Sequence, residues 1–340
     1  MSKKLFKKMF VILFLLAFIS FTVIGTAYYF NLPSDKIPIN GTIFEISTGE
    51  TLSNIISRLE DEELIRSGIF LRVFSLIMNT EQDFKSGNYK IEYGYTTREI
   101  HDLLISGKQK LITITIPEGW TIRRIADLLD QNNIIDKNEF IAAATSAEIV
   151  NSFDIPGSSV EGFLFPDTYL FPENYPADQI ISVMINNLYN NLQEIAPDYT
   201  DWKRKDLYDF IILASIVERE YKLPEEAPII GSVFQNRLSI NMGLESCATI
   251  EYIITEILGK PHPERITEYD TKLDSLYNTY EWAGLPPGPI CNPGKIALDG
   301  VFNSEDTDYF YFVLKDVETG EHYFSRELQE HNQARFYLLK

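Results

Sequence analysis

The chain has 340 residues, 45% hydrophobic and 23% charged, with a formal net charge of −19 and no low-complexity tract. That length allows one membrane segment and one or two domains with a sizeable core. Lys3, Lys4, Lys7 and Lys8 are unopposed by any acid in the first thirty residues, so the remainder is more acidic than the whole. So acidic a body argues against nucleic acid or anionic lipid surfaces as the main partner.

Residues 1–8 form a basic tail, followed by "MFVILFLLAFISFTVIGTAYYF" (9–30), 22 residues without a charge. As a helix this run spans about 33 Å, enough for a bilayer core. The preceding lysines predict a single pass with a cytoplasmic N-terminus and everything after residue 30 outside the cytoplasm. Gly25-Thr26-Ala27 also resembles a small-residue cleavage site, the mark of a signal peptide. The run is long for that role and ends in Tyr28-Tyr29-Phe30, which suits an interfacial aromatic belt, so a retained anchor is the preferred reading. Residues 31–41, "NLPSDKIPING", read as a tether punctuated by Pro and Gly.

A repeat follows at a spacing of 70. "IFEISTGETLSNIISRL" (43–59) aligns with "TITIPEGWTIRRIADLL" (113–129), matching Gly49 with Gly119 and Thr51 with Thr121. The apolar pairs are Leu52/Ile122, Ile55/Ile125, Ile56/Ala126 and Leu59/Leu129. Each copy predicts a short strand, a Gly turn and an amphipathic helix. A fainter strand–Gly94–helix echo runs over 89–108. "GETLSNI" resembles the start of a LysM-type module, a small fold associated with peptidoglycan glycan strands. The region 42–152 is therefore read as LysM-like, with plain packing units as the alternative.

From 153 to 340 the texture changes. "VEGFLFPDTYLFPENYP" (160–176) reads as a loop, helices are expected over 178–195 and 203–222, and another over 229–246 ends at Asn241 and Gly243. The stretch from Gly284 to Gly294, with four prolines and three glycines, is no regular element. A hairpin turning at Glu318-Thr319-Gly320 and a helix capped by Ser325 close the chain. The predicted class is α+β: one transmembrane helix, strand–helix modules, then a mixed domain. His101, His262, His322 and His331 have no metal-ligand spacing, so neither metal nor cofactor is expected. Export permits a Cys247–Cys291 disulfide; two buried thiols are the other reading.

One carboxylate is out of place. In "DLYDFIILASIVEREYK" (206–222), Leu207, Phe210, Ile211, Ala214 and Tyr221 form one helical stripe with Glu218 at its centre. Arg219 and Glu220 point off the stripe. A carboxyl there is either a helix-end ion pair or a general acid kept protonated by apolar surroundings. The Tyr-, Asn- and Pro-rich loops flanking this helix are of a kind that lines carbohydrate grooves. Asp167 reads equally as a turn residue, Tyr169, Tyr277 and Tyr280 as core, and Asn236, Asn278 and Asn292 as loop caps.

"EGFLFPDTYLF", "LASIVERE", "VFQNRL", "YNTYEWAGLPPGPICNPG", "YFYFV" and the later "EHN" resemble, in order, the motifs of the YceG-like family of endolytic murein transglycosylases, over roughly residues 40–340. The resemblance implies a lyase that cuts between N-acetylmuramic acid and N-acetylglucosamine within nascent strands, at the outer face of the cytoplasmic membrane. It places the catalytic Glu of "LASIVERE" on Glu218; Glu161, Asp167, Tyr169, Asn236, Asn278, Tyr280 and Asn292, within the quoted motifs, are the candidate substrate contacts. Partners would be peptidoglycan glycan strands and synthases of the elongation machinery. Where the family commonly reads L-Q-S-D-x-T, this chain has "LESCATIEY", so Glu245 and Cys247 depart from the pattern. A non-catalytic wall-binding anchor and a glycan hydrolase are the competing readings, the latter separable by the reducing end it leaves.

Overall fold

The computed structural model describes residues 3–39, 41–47, 49–107 and 111–338, with the backbone alone at 3–9, 11, 337 and 338. The side chains of the Lys3–Lys8 cluster therefore lie outside the described residues, as do Thr48 of the first repeat copy and Lys108 of its fainter echo. The chain divides into two compact units, Met1–Leu111 and Ile112–Lys340. The expected division at 152/153 does not coincide with this one, because the second repeat copy belongs to the larger unit's core.

In the first unit, α1 (Lys3–Asn31) contains a 20-residue stretch, Ile12–Asn31, long and apolar enough to cross a membrane and buried nowhere. The following residues are not a free tether. Ile37 is buried, Ser34 Oγ donates to the Glu63 carbonyl (2.5 Å), and Arg66 Nε donates to the Pro33 carbonyl (2.8 Å). One apolar side chain and two backbone acceptors suffice to hold this Pro-rich segment against the unit. Strand β1 (Thr42–Ile46), helices α2 (Leu52–Asp61) and α3 (Gly68–Met78), and strand β2 (Gly87–Ile91) follow. The strands pair antiparallel with Thr42 opposite Ile91 and Ile46 opposite Gly87. Phe44, Ile46, Tyr89 and Ile91 meet Ile55, Ile56, Leu59 and Leu71 of the helices. Burying each such side chain stabilises by about 1.5–3 kcal/mol. Helix α4 (Thr97–Ser106) starts with the Thr96–Glu99 capping box.

The second unit repeats the order. Strand β3 (Leu111–Thr115), helices α5 (Ile122–Gln131), α6 (Lys137–Ala144) and α7 (Ala147–Ser152), and strand β4 (Thr168–Pro172) follow, with β3 paired to β4. The matched pairs Ile55/Ile125 and Leu59/Leu129 are buried in both copies. Gly49 and Gly119 both sit at positive φ (82° and 71°), a backbone that glycine adopts without strain. The second helix of each copy and the return strand β4 carry no repeated motif and were not expected, whereas β2 and α4 are the strand and helix of the fainter echo. The stretch 160–176 is core rather than loop: Phe163, Leu164, Phe165, Tyr169 and Phe171 are buried, and the last two rings stack at 5.4 Å. Residues 160–166 are buried without a break, and only β4 alternates, with Tyr169 and Phe171 inward and Thr168 and Leu170 outward, too short a period of two to stand out between the flanking prolines.

Helices α8 (Ala177–Ile195), α9 (Arg204–Val217), α10 (Ala227–Ser239), α11 (Cys247–Tyr252) and α12 (Lys295–Phe302) build the rest, with α9, α10 and α12 packed on one another. Strands β5 (Tyr311–Leu314) and β6 (His322–Ser325) form the expected hairpin, with Gly320 at φ 81° in its turn. Ser325 is the buried last residue of β6, not a cap; α13 (Leu328–Leu338) starts three residues later.

Candidate active site

Helix α9 is buried from Ile211 to Val217 and ends there, five residues short of the expected boundary. Arg219 N–H and Glu220 N–H bond back to Ile216 and Val217 (both 3.0 Å), tightening the chain into a turn that carries Glu218. Ser215 ties the Pro/Gly loop to this helix. Its Oγ accepts from Ile290 N–H (3.0 Å), and its carbonyl accepts from the Cys291 thiol (3.2 Å). Three residues on, Gly294 N–H donates to Glu218 Oε2 at 3.0 Å, and Tyr221 O–H addresses the same oxygen at 3.5 Å. With both donors on Oε2, the acidic proton belongs on Oε1.

A second loop closes the other side. A Cβ on Gly119 would sit 3.5 Å from Glu218 Cγ, in ordinary contact with it, whereas one on Gly294 would overlap the Glu118 carboxyl, so Glu118 lies against the Gly294 backbone only because no side chain intervenes. The two loops are laced together. Gly119 N–H donates to Asn292 O and Asn292 N–H to Trp120 O, each at 2.9 Å, while Arg219 Nη1 donates to the Gly119 carbonyl (3.3 Å) and Nη2 to Glu251 (2.9 Å). Burial pushes the Glu218 carboxyl up to about 7. The neighbouring Glu118 charge adds to the rise, and the Gly294 and Tyr221 hydrogen bonds and the Arg219 charge oppose it. The arrangement presents one carboxylic acid, half protonated near neutral pH, with one oxygen fixed and the other uncommitted.

Two further carboxyls are raised. Glu161 is buried and pushed up to about 8 by desolvation. Both its oxygens accept from Ile122 N–H (3.1 Å), and Oε1 also accepts from Asn292 Nδ2 (2.9 Å). Glu220 does not point away into solvent as the helical stripe implied, because α9 has already ended. It accepts from Ser246 Oγ, and burial raises it to about 7. Unlike Glu218, Glu161 spends its oxygens on its own fold.

Asn292 belongs to the same lacing, with Nδ2 on the Trp120 carbonyl (2.8 Å) and Oδ1 accepting from Leu164 N–H (2.8 Å). The other expected contact residues are not gathered there. Tyr169 donates to the Phe165 carbonyl (2.6 Å) within the core. Asp167 is exposed and accepts from Asn187 Nδ2 (2.8 Å). Asn236 holds the Thr307 and Tyr309 carbonyls, and Asn278 those of Thr271 and Leu273. Tyr280 meets the Cys247 thiol at 3.1 Å. The disulfide that export would permit is absent, and the reading of two buried thiols holds for one of them: Cys247 is exposed and free, whereas Cys291 is free and buried against Ser215.

Glu118, Gly119 and Gly294 went unnoticed as site residues, although the repeat had singled out Gly119. A narrow polar recess sharing Arg219 is lined by Thr121, Arg124, Glu251, Tyr252 and His262. A larger cleft, lined by Phe153, Tyr189, Trp202 and Arg204, opens at the far end of α9, roughly 20 Å along that helix from Glu218.

Comparison with known proteins gives one answer. The model of the YceG-like family matches residues 44–336. A relative from Streptococcus pneumoniae serotype 2, named endolytic murein transglycosylase, is 28% identical over 330 residues, covering 89% of this chain and 59% of its own length. One of the same name from Bacillus subtilis is 28% identical over 333 residues, covering 92% of this chain and 90% of its own. The chain thus spans about three-fifths of the streptococcal relative. The crystal structure of a YceG-like protein from Listeria monocytogenes superposes with a TM-score of 0.57 at 30% identity, covering 87% of this chain and 99% of that one. With this fold and a match over most of its length, the chain belongs to the YceG-like family.

Proposed function

We propose that this chain is a membrane-anchored endolytic lytic transglycosylase of peptidoglycan, with Glu218 as its single acid/base. The observation that carries the reading is a protonatable carboxyl, raised to about 7, whose Oε2 is pinned by a backbone donor. The name borne by the streptococcal and bacillar relatives supports the same activity.

Glu218 Oε1–H donates its proton to the oxygen joining muramic C1 to the next glucosamine. The C1–O bond breaks with its electron pair going to that oxygen, and oxocarbenium character develops at C1. The carboxylate then takes the proton from the muramic sugar's own C6 hydroxyl, whose oxygen bonds to C1 and closes a 1,6-anhydro ring. No water enters, so the second carboxylate of an ordinary glycosidase is not needed. A group raised to about 7 suits both halves, acid first and base second.

In this reading α1 crosses the cytoplasmic membrane once, with the rest of the chain outside. The LysM-like strand–helix repeats of region 42–152 hold glycan, and residues 153–340 carry the chemistry. Peptidoglycan synthases of the elongation machinery are the natural partners, since an endolytic cut near the membrane terminates their strands.

The test is Glu218→Gln, which keeps shape but removes both proton transfers. Activity should fall about 10²–10⁴-fold or more, because one residue serves twice. Mass spectrometry of digested peptidoglycan should find anhydromuramyl ends with the wild type and almost none with the variant. Glu225→Gln, an exposed change, is the control. Near wild-type yield of anhydro ends from Glu218→Gln would remove the assignment.

A further inference from the structure

Helix α3 has an apolar face left uncovered by the described residues. Ile69, Leu76 and Ile77 are 77%, 60% and 73% exposed, and Val73 and Met78 are exposed beside them. Residues 69, 73, 76 and 77 lie at helical spacing on one side, opposite the buried Gly68, Leu71 and Ser75. Arg72, bonded to Ser53 at 2.7 Å, edges the stripe. A water-facing helix does not ordinarily present such a contiguous apolar stripe.

The same unit fixes where that face lies relative to α1. The C-terminal end of α1 is bound into the unit rather than hinged from it. The Phe30 carbonyl accepts from Thr97 Oγ1 (3.0 Å), and Asn31 Oδ1 accepts from Arg98 N–H (3.0 Å). The Arg66 guanidinium lies 5.4 Å from the centre of the Tyr29 ring. Helix α1 packs against α3 and α4. The helix that carries the bare stripe is therefore packed on α1, whose C-terminal end is fixed to this unit.

We propose that α3 lies in the outer boundary of the bilayer, its face of Ile69, Val73, Leu76 and Ile77 inserted among lipid headgroups and upper acyl chains. The proposal rests on the reading of α1 as a membrane span. An interfacial helix of this kind inserts its apolar face about 5–10 Å. The neighbouring Glu60, Asp61, Glu62 and Glu63 are acidic, so insertion is driven by apolar area and not by attraction to anionic lipid. Such a second contact would fix the unit's orientation on the membrane.

The test uses the full chain in vesicles of zwitterionic phosphatidylcholine brominated near the headgroup end of its acyl chains. Leu76→Trp, Ile69→Trp and Ser57→Trp, the last on the exposed face of α2, are each compared with the unsubstituted chain. Bromine should quench the added tryptophan roughly twofold or more at 69 and 76, in low and high salt alike, and leave that at 57 unchanged. Alkaline carbonate extraction reads the span separately. A chain that stays with the vesicles but shows no more quenching at 69 and 76 than at 57 overturns the α3 contact alone. That result would mark the stripe as a docking face for another protein. A chain released by carbonate overturns the span and the α3 contact together. Since all three positions are exposed, the variants should fold, which circular dichroism checks.

Discussion

In the first βααβ unit, a Cβ added to the turn glycine, Gly49, would meet nothing, and Thr51 caps α2 through its own side chain. In the second, Gly119 stands against Glu218. Thr121 makes no capping bond, and its buried Oγ1 has no partner among the described residues. The N-terminal N–H of α5 is served instead by Glu161, from the long connection between α7 and β4 that the first unit lacks. One pattern has produced a self-contained module and a module whose turn has been taken over by a site. The local helix cap was given up, and a distant carboxyl ties that turn to the Pro/Gly loop through Asn292.

The comparison breaks most visibly at Glu161. Glu161→Leu should destabilise the protein by about 2–4 kcal/mol, because Ile122 N–H and Asn292 Nδ2 lose a buried acceptor. Urea unfolding measures it; a loss under 1 kcal/mol would mean that the second unit is capped some other way. The effect of pH comes next. Glu161 and Glu218 are raised to about 8 and 7, so the folded state holds protons that the unfolded chain releases above the usual carboxyl range near 4.5. Stability should therefore fall as pH rises from 5 to 8, and Glu161→Gln should flatten that fall by about 1–3 kcal/mol. A slope unaltered by the amide would place the proton elsewhere. Smaller again, Thr51→Ala should cost about 1 kcal/mol, while Thr121→Ala should be neutral or slightly stabilising. Equal losses at the two threonines would erase the distinction.

Glu218 was legible because a carboxyl among Phe210, Ile211 and Ala214 contradicts the pattern around it, and contradiction within a regular period is visible in one dimension. Gly49 and Gly119 were legible for a similar reason, as fixed points of a repeat. What lay beyond reach depended on where a helix stops. Ending α9 at Val217 instead of residue 222 turns Glu220 from a solvent-facing residue into a half-buried one bonded to Ser246. Buried side chains that serve backbone, such as Asn278 and Asn292, look the same in sequence as side chains that would serve a sugar. The pairing of the cysteines was open in the sequence because two residues near one site need not face each other: Cys291 is drawn under α9 by Ser215, and Cys247 stays at the surface with Tyr280. The segment 31–41 read as free because its hold comes from Arg66, 33 residues from Pro33.

The donor that pins Glu218 Oε2 is the main chain of Gly294, and this bears on how the site can drift over generations. A side-chain donor can be lost by a single codon change, and an alignment would record the loss. A peptide N–H survives every replacement except proline. Inheritance of this contact therefore depends on loop length and on a residue other than proline at position 294, not on the identity of any polar side chain. Substitutions such as Glu245 and Cys247 can accumulate around it while the proton on Glu218 keeps its place.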